Sequence, residues 1–205
     1  MQRPEGDPGN VLGNHYDKYG TKNPIARALM KGFLGAVSGL YRQVAPRTVL
    51  EVGCGEGMLA HHLVTEAHRP ERFEACDLSL DRRATGLDPL IVFREASIYE
   101  LPYEAGEFDL VVCCEVLEHL SDPARGLAEV LRVSKRPVLL STPREPIWRA
   151  MNMARGKYLA ELGNTPGHVQ HWGRRGLISL VSAQAQVVAC RTPLPWTVLL
   201  AEKRP

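Results

Sequence analysis

Glu115, Glu118 and His119 stand three and four residues apart in Cys114-Glu115-Val116-Leu117-Glu118-His119, where an apolar run ends. On a helical turn, groups at those spacings share one face. Two carboxylates and an imidazole meeting there suit a divalent cation. The same groups suit a general base, His119, supported by a carboxylate, Glu118. A Glu-His cluster that only packs is the third possibility. Two more histidines follow downstream in Gly167-His168-Val169-Gln170-His171-Trp172. His61 and His62 lie in a stretch of helical spacing and read as structural.

A second chemical signal lies in the main chain. Val49-Leu50-Glu51-Val52 reads as a buried strand, and Gly53, Cys54, Gly55, Glu56 and Gly57 turn it sharply into a helix. Glycines allow the turn and let a ligand approach the backbone. The N–H groups at the start of the helix can hold a carboxylate. A dinucleotide fingerprint needs a third glycine at position 58, and Met58 stands there, which argues against a nicotinamide. Asp77 ends the next apolar run, Phe73-Glu74-Ala75-Cys76-Asp77. In dinucleotide folds an acid at that place accepts both ribose hydroxyls.

These groups need a frame that brings strand ends together. Short apolar runs fall at 47–52, 72–76, 90–93, 108–113 and 136–141, with helical stretches between several of them, most clearly 57–67 and 122–133. That alternation predicts an α/β three-layer sandwich, a mostly parallel sheet covered by helices on both faces. Asp122 suits a helix cap and Pro123 the first turn. A helix near 174–183 precedes apolar runs at 186–190 and 196–201, which suit a terminal antiparallel pair and bring the sheet to seven strands. From Pro24 to Tyr41, Ile25, Leu29, Met30, Phe33, Val37 and Leu40 recur at helical spacing. This helix either covers the sheet or acts as a lid. The expected organisation is an N-terminal arm and lid helix over 1–44, then one domain over 45–205. Residues 143–172, rich in Pro and Gly and holding Trp148, Tyr158 and Trp172, interrupt the rhythm as a cap insertion.

Composition narrows the setting. The 205 residues are 44% hydrophobic and 23% charged, with a net charge of +2. The strongly basic footprint of an obligate nucleic-acid binder is missing. No run suits a signal peptide or a membrane span, so the expectation is a cytoplasmic protein. Five cysteines without C-x-x-C spacing read as buried free thiols.

The Glu51-x-Gly53-Cys54-Gly55-x-Gly57 form resembles motif I of class I S-adenosylmethionine-dependent methyltransferases of the type 11 group, whose fold is Rossmann-like. Ala96-Ser97-Ile98-Tyr99-Glu100-Leu101-Pro102-Tyr103 resembles a later segment of that family, and 108–112 its fourth strand, so the likeness covers about 45–142. The cofactor is then S-adenosylmethionine, expected on Glu51, Gly53, Cys54, Gly55, Gly57, Asp77, Leu78, Ser97, Ile98 and Cys114. Ser97 departs from the family's Asp for the adenine amine, and accepts without charge assistance. The Glu115/Glu118/His119 string is similar to that of ubiquinone-biosynthesis O-methyltransferases and small-RNA 2′-O-methyltransferases, both metal-dependent. That likeness implies Mg²⁺ or another divalent cation on Glu115, Glu118, His119 and His168, with His171 as second choice for the last. The implied reaction is methyl transfer to a hydroxyl of a small molecule. RNA 2′-O-methylation and a non-catalytic cofactor-binding partner protein are the alternatives. Tyr16, Tyr19, Trp148, Tyr158 and Trp172 are candidates to line an acceptor pocket.

Overall fold

A computed structural model describes residues 23–204. The N-terminal arm assigned to 1–22, with Tyr16 and Tyr19, lies outside the described residues. Helix α1 spans Pro24–Val44. Asn23 caps it by accepting from the Ile25 and Ala26 N–H groups, and Pro24 occupies the first turn, where a missing N–H is harmless. Its apolar stripe buries Met30, Phe33, Val37, Leu40 and Tyr41 against the sheet. The helix therefore covers the sheet along most of its length.

The strands are β1 (Thr48–Val52), β2 (Arg72–Asp77), β3 (Ile91–Glu95), β4 (Leu110–Cys114), β5 (Pro137–Pro143), β6 (Ala185–Arg191) and β7 (Trp196–Lys203). They form one seven-stranded sheet in the order β3-β2-β1-β4-β5-β7-β6. The first five are parallel, and β7 runs antiparallel between β5 and β6, with a bulge at Val187/Ala189. Helix α2 (Met58–His62) continues into a wider turn over Leu63–Ala67. Helices α3 (Pro123–Val133), α4 (Ile147–Ala154) and α5 (Arg174–Ser182) complete the set. Asp122 accepts from Arg125 N–H at 3.0 Å and caps α3 as expected.

Period-two alternation divides each strand between two cores. In β4, Leu110 and Val112 face α1 and α2, while Val111 and Cys113 face α3 and α5. The sheet is thus covered on both sides, a Rossmann-like three-layer sandwich. All five cysteines are free thiols, four of them buried. Among the described residues no helix is long and apolar enough to cross a membrane.

The strand order reverses at β1, which has β2 on one side and β4 on the other. In open α/β sheets a crevice forms beyond the carboxyl ends of the strands at such a point. The segments after β1, β2, β3 and β4 all meet there.

Candidate active site

Gly53, Gly55 and Gly57 all have positive φ, at 76°, 53° and 78°. The Gly53 and Cys54 N–H groups both donate to the Cys76 carbonyl, at 2.8 and 3.0 Å, tying the loop to the end of β2. A Cβ at Gly53 would lie 2.3 Å from Val116, and one at Gly57 would lie 2.8 Å from Phe93. A Cβ at Gly55 would meet nothing within 4 Å. The outer glycines are closed by the protein itself, and the middle one faces open space where a ligand can reach the main chain.

Asp77 stands across from that opening. Its Oδ2 accepts from Gly55 N–H at 2.8 Å, and its Oδ1 accepts from Leu78 N–H at 2.7 Å. Each oxygen keeps a further lone pair for a hydroxyl. Leu78 is 55% exposed beside it, an apolar surface for a flat ring. Ile98 is buried, and Ser97 Oγ accepts from Tyr99 N–H at 3.2 Å, so the serine shapes its own turn. Glu51 is buried below the loop, and its Oε2 has no hydrogen-bond partner among the described residues. Burial, reinforced by the charge of Asp77, raises its carboxyl from 4.5 to about 8. An orphaned buried carboxylate oxygen beside an open main-chain cradle fits a ligand carrying an ammonium group. Burial, then Glu51, raises the Cys54 thiol, and burial raises that of Cys114, so neither is a nucleophile at neutral pH.

The turn after β4 carries the second half of the site. Glu118 is 2% exposed and His168 8%. One ligand atom from each of Glu118, His119 and His168 lies within 4.8 Å of the others. His119 Nδ1 lies 2.9 Å from the Gly167 carbonyl, which can only accept. Nδ1 therefore carries a proton, and in the neutral ring this is the tautomer in which Nε2 is the acceptor atom. The two rings meet edge-on, their centroids 4.8 Å apart. His168 arrives on the 143–172 excursion, which is pinned by main-chain bonds: Val169 and Gln170 N–H donate to the Glu118 carbonyl at 2.9 and 3.0 Å. His171 instead bonds Asn164 Oδ1 at 2.7 Å.

Glu115 does not join this group. A helical turn would place it beside Glu118, but Glu115 has φ 61° and only a short 3₁₀ turn, Leu117–His119, follows. Its Oε1 accepts from Ser141 Oγ at 2.9 Å and its Oε2 from Trp196 Nε1 at 2.7 Å. Trp196, unnoticed in the sequence, heads β7, and its indole lies 5.7 Å from that of Trp148. Behind them lies a cavity of about 60 Å³, lined by Leu29, Met30, Trp148, Met151, Tyr158 and Trp196. Trp172 packs elsewhere, against the core under α3 and α5. His62 Nε2 bonds Ser38 at 2.9 Å, and His61 Nδ1 accepts from Asp88 N–H, so both are structural.

Known proteins agree with this layout. Residues 50–140 match the family described as "Methyltransferase domain". A ubiquinone biosynthesis O-methyltransferase of Xanthomonas oryzae pv. oryzae is 32% identical over 129 residues, 58% of this chain and 53% of that protein. The chain thus spans about half the length of such curated relatives. The magnesium protoporphyrin IX methyltransferase of Synechocystis PCC 6803, solved with bound S-adenosylhomocysteine, shares the fold at TM-score 0.64 and 15% identity, over 90% of each chain. The methyltransferase domain of bacterial CtHen1 does so at TM-score 0.62 and 19% identity, over 85% of this chain and 99% of that one. In its matched domain, its strand order and its glycine loop, the chain is similar to the class I S-adenosylmethionine-dependent methyltransferases.

Proposed function

We propose that this chain transfers a methyl group from S-adenosylmethionine to a hydroxyl oxygen of a small molecule. The carrying observation is the Glu118/His119/His168 group, two of whose members lie on the turn whose Val116 closes over Gly53. The bound cofactor supplies an electrophilic sulfonium methyl. Asp77 accepts from the ribose hydroxyls, Ile98 and Leu78 flank the adenine, and Ser97 takes the place of the usual acid near its amine. Gly53, Cys54, Gly55 and Gly57 form the cradle under the methionine part, and Cys114 packs at the end of β4. Glu51 receives the ammonium group. His119 would receive, at Nε2, the proton that the acceptor hydroxyl gives up. Glu118 supports the imidazolium that results.

A second reading of the same three residues is favoured by their 4.8 Å grouping. Glu118, His119 and His168 would hold a divalent cation, which would lower the pKa of a bound hydroxyl. Their donor set, two imidazoles and one carboxylate, suits a transition-metal ion better than Mg²⁺, which prefers oxygen ligands. The RNA alternative receives less support from the excursion's cations. Arg149 donates to the Leu162 carbonyl at 2.9 Å, and Arg155 to Asn152 Oδ1, so both brace the excursion itself.

Calorimetry with S-adenosylhomocysteine, followed by labelled methyl transfer to a panel of phenols, sugars and short RNA ends, tests the proposal. Micromolar binding and transfer to a small hydroxylated molecule are expected. Absence of binding overturns the methyltransferase reading, and labelling of RNA alone replaces the acceptor. Full activity in excess chelator removes the cation.

Glu51 makes binding depend on pH. Its carboxyl is raised in the folded protein, so below about 8 it is mostly neutral and must lose a proton to receive an ammonium group. S-adenosylhomocysteine should therefore bind more tightly as pH rises from about 6 to 8, by up to about tenfold per unit, with proton release. The Glu51→Gln variant should bind weakly and without that slope. The sign for stability is opposite. A raised folded-state value favours the native state at low pH, so this contribution is lost as pH rises from 4.5 to about 8.

A further inference from the structure

We propose that Glu115 is a positioning residue that sets the acceptor-side wall of the site, acting through Trp196 and Trp148 on His168. The proposal deepens, and rests on, the methyl-transfer reading of this cleft.

A bulky side chain at positive φ persists only where its surroundings over-determine it. At Glu115 they do. Its N–H donates to the Ser141 carbonyl at 3.0 Å, so the parallel pairing of β4 with β5 continues one residue past β4. Its two oxygens then take the Ser141 hydroxyl at 2.9 Å and the Trp196 indole N–H at 2.7 Å. The latter is a short bond to a carboxylate, the stronger kind.

What the carboxylate holds is one end of a line of rings. Trp196 lies 4.9 Å from Phe33 of α1 and 5.7 Å from Trp148 of α4. Trp148 is fixed at its own N–H by Thr165 Oγ1 at 2.8 Å, and it stacks on His168 at 6.1 Å and 27°. His168 then meets His119 edge-on. In a close-packed interior each ring limits the seats open to the next. Glu115 is thus linked to His168 through two rings, and through Trp196 it bears on the wall of the cavity. Both tryptophans line that cavity.

The test compares Glu115→Gln, Glu115→Ala and Trp196→Phe in the full chain, without turnover. Three signals are read: the near-UV circular dichroism of the three tryptophans, the His168 ring resonance by NMR, and Co²⁺ binding by visible absorption. Gln retains an acceptor oxygen for the indole, so Glu115→Gln should keep the tryptophan bands and the His168 resonance. Glu115→Ala and Trp196→Phe should alter both, moving His168 in the same direction. If Glu115→Ala does not fold, Trp196→Phe carries the comparison. A Gln variant that loses both signals overturns the proposal. So does a loss of Co²⁺ affinity of about tenfold or more in that variant, which would mark Glu115 as a ligand. A wild-type protein that binds no Co²⁺ sinks only the cation reading, and failure to bind S-adenosylhomocysteine sinks only the methyl-transfer reading. The tryptophan and His168 signals decide the role of Glu115 in either case.

Discussion

Asp77→Ala should raise the Kd for S-adenosylhomocysteine by at least about a hundredfold. Hydrogen bonds to a charged group contribute about 1.5–3 kcal/mol each, and about 1.4 kcal/mol is a factor of ten. Two ribose hydroxyls donating to one carboxylate therefore account for a hundredfold or more. A second loss adds to it. Asp77 also accepts from the Gly55 and Leu78 N–H groups, so it orders the loop before ligand arrives. Removing it frees the Gly55 amide, at the point of the loop that faces open space. Asp77→Asn separates the two effects. The amide keeps one acceptor oxygen and the shape of the side chain, so its Kd should fall between those of wild type and Asp77→Ala. Calorimetry reads the affinities, and thermal unfolding of the ligand-free proteins reads the loop. A Kd for Asp77→Ala within experimental error of wild type removes Asp77 from the cofactor site.

The second large effect belongs to His119. His119→Ala should lower kcat by about 10²–10⁴-fold, the usual contribution of a general base, with S-adenosylhomocysteine affinity unchanged. The split matters. A residue that merely supports the fold would move Tm and both binding and turnover together. Chelation divides the two roles of the cluster. If His119 works alone as base, kcat in excess chelator equals kcat without it, and the acid limb of the pH–rate profile disappears in the variant. If the cluster holds a cation, chelator reproduces the loss, and His168→Ala lowers acceptor affinity as well. Unchanged kcat in His119→Ala overturns both roles.

Much of the scaffold is legible in the sequence because it rests on local periodicity. The apolar runs, the Pro24 and Asp122-Pro123 starts and the terminal antiparallel pair all depend on residues close in the chain. The glycine loop is legible for the same reason, since one turn must be written within five residues. Glu115 is not. Its spacing to Glu118 implies a shared face only if the intervening turn is α-helical, and φ 61° at Glu115 breaks that condition. What turns it away is Ser141 and Trp196, 26 and 81 residues downstream. No periodicity links positions so far apart; only the antiparallel register of β5 and β7, pairing Ser141 with Val198, brings them together. Between His168 and His171 the resemblance puts His168 first, and His168 is the one grouped with Glu118 and His119 in the structure. Asn164 captures the second, and the Glu118 carbonyl registers the first.

The Val169 and Gln170 bonds to Glu118 run from main chain to main chain, so they do not depend on which side chains stand at those two positions. Val169 is half exposed, and its side chain is free to vary without disturbing the bond its amide makes. The excursion that carries His168 is consequently a part that can be rewritten. Its outer residues can be exchanged to suit a different acceptor while the histidine keeps its register. On the methyl-transfer reading proposed above, substrate range and catalytic geometry would be separable features of one segment, and 143–172 the natural region for altering specificity by design or by drift.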